Sequence, residues 1–137
     1  MSDTPEDLRE RSASTLDGAL GFEIVELGQD HARGRFRVTD AVRQPWGPVH
    51  GGAYAAMAET LASAPTAAAV RDEGSVALGQ SNHTSFLRPA MEGTVHAEAR
   101  RRHRGRTSWV WEVDFTDDQG RLCALSRVTL AVRPAPD

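Results

Sequence analysis

Between residues 31 and 39 the chain alternates. Ala32, Gly34, Phe36 and Val38 fall on one parity, and Arg33, Arg35 and Arg37 on the other. That period of two predicts a half-buried antiparallel strand with one basic, solvated face. Residues 20–28 predict its partner, with Gly28-Gln29-Asp30 as the connecting turn. Four more strands are predicted over about 76–88, 93–104, 106–117 and 121–133. Trp109, Trp111, Val113 and Phe115 share one face of the third, and Asp117-Asp118-Gln119-Gly120 forms the turn after it. In the last, Leu122, Ala124, Ser126, Val128, Leu130 and Val132 share a face.

Between the two sets of strands the alternation disappears. Pro45, Gly47 and Pro48 break regular structure over 40–50, and an Ala-rich run then predicts a helix over about 51–71. Ala53, Ala55, Ala56, Ala58, Ala62 and Ala64 let this helix approach a sheet closely, and its poverty in charge predicts that the sheet wraps it. Pro65 is expected to kink or break it. Upstream, Thr4 and Pro5 read as N-cap and first helical residue, with Glu6 and Asp7 in the first turn. They predict one helix over about 5–17, ended by Gly18 and Gly21. The order of helix, two strands, long helix and four strands predicts an α+β fold with an antiparallel sheet, in one domain over 1–137. Residues 134–137 read as a tail.

Composition narrows the classes. The 137 residues are 39% hydrophobic and 26% charged, with net charge -3. Bulk nucleic-acid binding is therefore not expected. No apolar run reaches the roughly 20 residues needed to span a bilayer. The stretch MSDTPEDLRERS lacks the apolar core of a secretory signal. Cys123 is the only cysteine, so no intrachain disulfide is expected, and it reads as a small buried apolar group. A cytoplasmic protein is the expectation. All 16 basic residues are Arg. His31, His50, His83, His96 and His103 lack metal-ligand spacing, so neither a metal nor another cofactor is expected.

Candidate chemistry gathers from Gln44 to Ser63. Gly51 and Gly52 follow His50 where the helix begins. The free N–H groups and partial positive charge of a helix start favour an anion or a developing oxyanion there. Glu59 is the only acid between Asp40 and Asp72, set among Ala56, Met57, Ala58, Leu61 and Ala62. Such a carboxylate is either exposed or a tuned functional group. Ser63 lies one turn on, on the same face.

Gln44 stands six residues before His50, Glu59 nine after it and Ser63 thirteen after it. With the run SNHTSFLRPA at 81–90, this constellation resembles the hotdog-fold acyl-CoA thioesterases, in the branch of 4-hydroxybenzoyl-CoA and phenylacetate-pathway enzymes. The resemblance implies an antiparallel sheet of five to six strands wrapped around one central helix, and hydrolysis of an acyl-CoA thioester. It implies that the Gly51 N–H polarises the carbonyl and that Glu59 either attacks it or activates water. Gln44 then orients the thioester or the water, and Ser63 holds water or Glu59. His50 contacts the carbonyl or the thiol leaving group, or is structural. Gly52 borders the substrate. Trp46 and Tyr54 read either as walls of an apolar pocket for an aryl or medium-chain acyl group or as ordinary packing. Coenzyme A is part of the substrate.

Two further readings stand beside hydrolysis. A hotdog hydratase or dehydratase resembles a pattern with Asp and His near the helix start, whereas this chain has Glu in mid-helix. A non-catalytic acyl-CoA binder needs nothing different in sequence apart from Glu59. The cluster Arg100–Arg106, with Arg101, Arg102 and Arg104 and the hydroxyls of Thr107 and Ser108, reads either as a site for coenzyme A phosphates or as a solvated hairpin end. Geometry adds an expectation about assembly. Gly51 and Glu59 are separated by eight residues, roughly 12 Å along a helix axis, whereas groups acting on one carbonyl must lie within about 3–3.5 Å of it. Two antiparallel copies of the helix across a two-fold axis place each Gly51 near the other chain's Glu59. The expected unit is a homodimer with shared sites, and the resemblance implies sheets joined edge to edge and further pairing into a tetramer.

Overall fold

The computed structural model describes residues 3–137; Met1 and Ser2, the first two residues of the expected 1–137 domain, lie outside them. Thr4 opens α1 (Pro5–Ser12) with a capping box. Its N–H donates to the Asp7 carboxylate at 3.0 Å, and the Asp7 N–H donates back to its hydroxyl at 3.1 Å. The single helix expected over 5–17 is in fact two, because α2 (Leu16–Ala19) starts separately. The Thr15 N–H and hydroxyl both donate to the Ser12 carbonyl, at 2.9 and 2.7 Å. That local bonding closes a turn in competition with the helix. Gly21, at φ +74°, then swings the chain into the sheet.

The strands are β1 (Glu23–Leu27), β2 (His31–Arg37), β3 (Ser75–Phe86), β4 (Thr94–Arg104), β5 (Ser108–Thr116) and β6 (Leu122–Pro134), with α3 (Gly51–Arg71) between β2 and β3. They form one antiparallel sheet in the order β1-β2-β4-β5-β6-β3. Chain order and sheet order differ because β3 crosses to the far edge before β4 returns to pair with β2. The sheet curls around α3, the hotdog arrangement that the resemblance implied. The Arg row of β2 lies on the outer face, with Arg33 bonded to Glu26 at 2.7 Å and Arg35 to Glu23 at 3.0 Å. All strands but β6 are shorter than their patterns predicted, β1 and β5 most, and β6 takes in Pro134 from the expected tail.

The inner face of β5 (Trp109, Trp111, Val113, Phe115) is buried, as the alternation required. Opposite it lie Tyr54, Met57, Ala58 and Leu61 of α3. Gly34 of β2 admits the helix: a Cβ there would overlap the Met57 methyl group. In β6 the expected face is buried from Ala124 to Val132, but Leu122 at its start is exposed and Cys123 is buried instead.

The expected break at Pro65 does not occur: α3 runs unbroken for 21 residues. Leu61, Ala62, Pro65, Thr66 and Val70 are all buried, so packing on both sides of the proline outweighs the backbone bond lost to its ring. No helix among the described residues is long and apolar enough to cross a membrane. One buried polar chain ties α3 to β5. The Trp111 Nε1–H donates to the Thr66 hydroxyl at 2.9 Å, which donates to the Ala62 carbonyl at 2.8 Å. Thr66→Val leaves that indole N–H without its acceptor. It is expected to cost about 1–3 kcal/mol in urea unfolding, with Thr66→Ser close to wild type. Equal stability of all three would remove the bond from the balance.

Candidate active site

The 40–50 segment is a tight loop closed on itself. It holds a short 3-10 turn (Asp40–Val42) and a bridge between Arg43 and Val49. The Gln44 side-chain oxygen accepts the Trp46 N–H, and Gly47 sits at φ +113°, a conformation that favours glycine. The Val49 N–H donates to the Ala90 carbonyl at 2.9 Å and the His50 N–H to the Val42 carbonyl at 2.7 Å. The loop is thereby pinned and α3 is aimed. Trp46 stands at its tip with 85% of its surface exposed.

His50 is the N-cap of α3. Its Nδ1 accepts the Gly52 N–H at 2.8 Å, and its carbonyl accepts the Ala53 N–H at 3.0 Å. A neutral His50 bonded this way carries its proton on Nε2, which points away from the helix start as a donor. The Gly51 N–H is left over: among the described residues it donates no hydrogen bond. The first turn of α3 contains no acidic residue to offset its partial positive charge. The Phe86 ring covers Gly51 so closely that a Cβ there would lie 2.7 Å from a ring carbon.

Glu59 and Ser63 share one face of α3. Glu59 is exposed, and its carboxylate rests over Gly79 of β3, where a Cβ would lie 3.1 Å from Oε1. Gly79 borders a bulge in the pairing of β3 with β6. On their other side Glu59 and Ser63 line a groove of about 320 Å³ beneath α1 and α2. There the Thr60 hydroxyl donates to Asp17, with 2.9 and 3.0 Å to its two oxygens. Burial pushes the Asp17 carboxyl above the usual carboxylate range, and the Thr60 bond only partly opposes this.

The remaining expected site residues lie elsewhere. Tyr54 is in the core among Phe36, Phe86 and Phe115, with its hydroxyl buried and unpartnered among the described residues. Burial raises its phenol to about 12. The Arg cluster lies near the opposite end of α3, where Arg104 bonds Glu73 at 2.9 Å. It is divided. The guanidinium groups of Arg101 and Arg104 both stack on the Trp109 ring, at 4.9 and 4.8 Å from its centroid. Arg102 instead pairs with Glu112, at 3.4 Å. A bulge between Arg101 and His103 causes the division, because the extra residue reverses the parity of the strand. Thr107 and Ser108 turn the chain from β4 into β5, and their carbonyls accept from Arg133 and Gly105. Among the described residues, no three His, Cys, Asp or Glu side chains converge as a metal-ligand set requires.

Sequence reasoning missed Gly79, Phe86 and the Asp17–Thr60 pair. A lone glycine inside a strand pattern was the available signal for Gly79. Nothing local pointed to Asp17, whose partner is 43 residues away.

Comparison with known proteins bears on the family and the fold. A family model described as the Thioesterase superfamily matches residues 47–124. A protein of Cronobacter turicensis named as the proofreading thioesterase EntH is 39% identical over 129 residues, covering 94% of this chain and 93% of its own. The crystal structure of a thioesterase from Haemophilus influenzae superposes with a TM-score of 0.92 at 31% identity, over 100% of this chain and 95% of that one. A mutant thioesterase structure from Pseudomonas aeruginosa gives 0.92 at 28% identity, over 98% and 96%.

Proposed function

The chain belongs to the thioesterase superfamily, and from that premise we propose that it hydrolyses acyl-CoA thioesters to the free acid and coenzyme A. The observation that carries this reading is the unclaimed Gly51 N–H at the start of α3, together with Glu59 on the same helix. The thioester carbonyl oxygen lies against that N–H, whose dipole and hydrogen bond stabilise the charge that develops on it. Glu59 of a second copy of the chain attacks the carbonyl carbon directly, or takes a proton from a water that does so, because Gly51 and Glu59 of one α3 lie too far apart to share a carbonyl; either way the thiolate of coenzyme A departs. Gln44, with its side-chain oxygen held by Trp46, presents its amide NH₂ to the thioester or the water. Ser63 holds water beside Glu59, and the His50 Nε2–H faces the leaving thiol. Gly52 and the exposed Trp46 border the entrance.

Single-turnover hydrolysis in ¹⁸O-water is diagnostic in one direction: label in the Glu59 carboxylate shows that Glu59 attacked and that water then opened the anhydride at the Glu59 carbonyl, whereas label confined to the free acid is the outcome of water attack on either the thioester or the acyl carbon of the anhydride. Release of free thiol from a panel of acyl-CoAs tests the function itself. A chain that binds them without releasing thiol is a binder and not a hydrolase.

The proposed unit is a homodimer, itself paired in a tetramer. β3 is an edge strand of 12 residues, with one row of backbone groups unpaired within the chain. Leu78 and Phe86 on it, and Leu87 and Met91 beyond it, are exposed. Pairing of two β3 edges covers them.

Arg101 and Arg104 are proposed to hold the phosphates of coenzyme A. Arg71, at the end of α3 beside this cluster, is 12 residues beyond Glu59, roughly 18 Å along the axis. The pair is thus remote from the reacting carbon. Arg101→Ala with Arg104→Ala is expected to raise KM for acyl-CoA about tenfold, with kcat unchanged. KM for the matching N-acetylcysteamine thioester should not move. An equal effect on both substrates assigns the pair to Trp109 packing alone.

A further inference from the structure

The groove beside Glu59 is closed on one side by α1 and α2, and the group they bring to it is Asp17. Its floor is apolar, formed by Ile24, Ala64 and Ala67. Asp17 is half-buried in its wall, and the Thr60 hydroxyl has one proton to share between its two oxygens. Among the described residues no Arg or His pairs with Asp17. Glu59, at the mouth of the same groove, is also a carboxylate. The groove lining therefore carries two acids and no cation; Arg9, next to it on α1, is committed to the Ile24 carbonyl at 2.8 Å.

We propose that Asp17 is the specificity-determining residue of the acyl pocket, excluding acyl groups that end in a carboxylate and admitting neutral ones. This rests on the reading of Glu59 as the group that acts on the thioester. An acyl group whose carbonyl carbon lies at Glu59 and whose tail is seated in the groove runs along Ser63 and Ala64 and past Asp17. A terminal carboxylate there meets a like charge that no neighbour offsets and that water screens only in part. At an effective dielectric near 20, repulsion between like charges within about 10 Å is ample for about tenfold discrimination. A methyl terminus meets only the apolar floor. The Thr60 bond has a separate task, because it fixes α2 to α3 and holds the carboxylate in the wall.

The test compares kcat/KM for pairs of acyl-CoAs of equal length: butyryl with succinyl, hexanoyl with adipyl, octanoyl with suberyl. The wild-type protein is expected to favour the neutral member, by about tenfold or more at the length that reaches Asp17. Asp17→Asn keeps an oxygen for the Thr60 hydroxyl and removes the charge, so most of that preference should vanish while turnover of the neutral esters stays near wild type. Thr60→Val is the control for a merely structural role, since it loosens the strap but leaves the charge. It should lower Tm and retain the preference. An Asp17→Asn ratio equal to wild type overturns the proposal, as does a Thr60→Val variant that loses as much preference as Asp17→Asn. Wild-type turnover of the neutral esters is the separate check on the hydrolase reading; without it that reading falls and takes this one with it.

Discussion

Glu59→Gln is expected to remove nearly all thiol release, lowering kcat by at least about 10²–10⁴-fold, with Tm unchanged. The side chain is exposed and, among the described residues, accepts no hydrogen bond. Its loss therefore breaks no ion pair and leaves no buried group unpaired. Gln has nearly the same shape and can lie over Gly79 as Glu does. What Gln lacks is the charge that attacks a carbonyl or takes a proton from water. Loss of activity with retained Tm thus reports chemistry rather than folding. Thiol release with an acyl-CoA, set beside thermal unfolding of the same preparation, reads both. Near-normal turnover by the Gln variant would sink the proposed mechanism.

The second large effect is a recovery. Glu59→Ala and Gly51→Pro are each expected to yield inactive homodimers, and a heterodimer of the two chains should regain about half of the wild-type activity. Gly51→Pro removes the N–H assigned to the oxyanion, at the first helical position, where proline is well accommodated. The His50 backbone, at φ -63° and ψ 134°, is already in the region that a following proline requires. Phe86, which covers Gly51, must shift for the proline ring, so native mass spectrometry of the Gly51→Pro homodimer is the control that assembly survives the substitution. The recovery follows from distance. Gly51 and Glu59 are eight residues apart on an unbroken helix, roughly 12 Å along its axis. If each site takes Gly51 from one chain and Glu59 from the other, the heterodimer has one site with both lesions and one with neither. Co-expression with two affinity tags isolates that species, and native mass spectrometry identifies it. A confirmed heterodimer without activity refutes the shared site, as does a fully active monomer.

Much of this molecule was legible in one dimension because its cause is local. Pro45, Gly47 and Pro48 forbid a helix, and the Ala-rich run after His50 favours one, so the start of α3 at Gly51 needs no tertiary information. The capping box of Thr4 and Asp7 closes over three residues. The parity of β2 and β5 sorts Arg from Phe and Trp from Glu before any sheet exists. The spacing of Gln44, His50, Glu59 and Ser63 was readable because one loop and one helix carry all four.

What the sequence by itself did not determine is decided by contacts between distant segments. Locally, Pro65 is a helix breaker; burial of Leu61, Thr66 and Val70 against a sheet formed later in the chain carries α3 through it. Parity places Arg102 and Arg104 on one face of β4, but a bulge, set by how β4 pairs with β5, brings Arg104 to Arg101 over Trp109 and leaves Arg102 to Glu112. Glu59 reads as a lone acid in an apolar helix. Only the folded chain sets it over the bare backbone of Gly79 on one side and, across Thr60, beside Asp17 on the other. Propensity and period act over a few residues, whereas packing and desolvation depend on which strangers the fold makes neighbours.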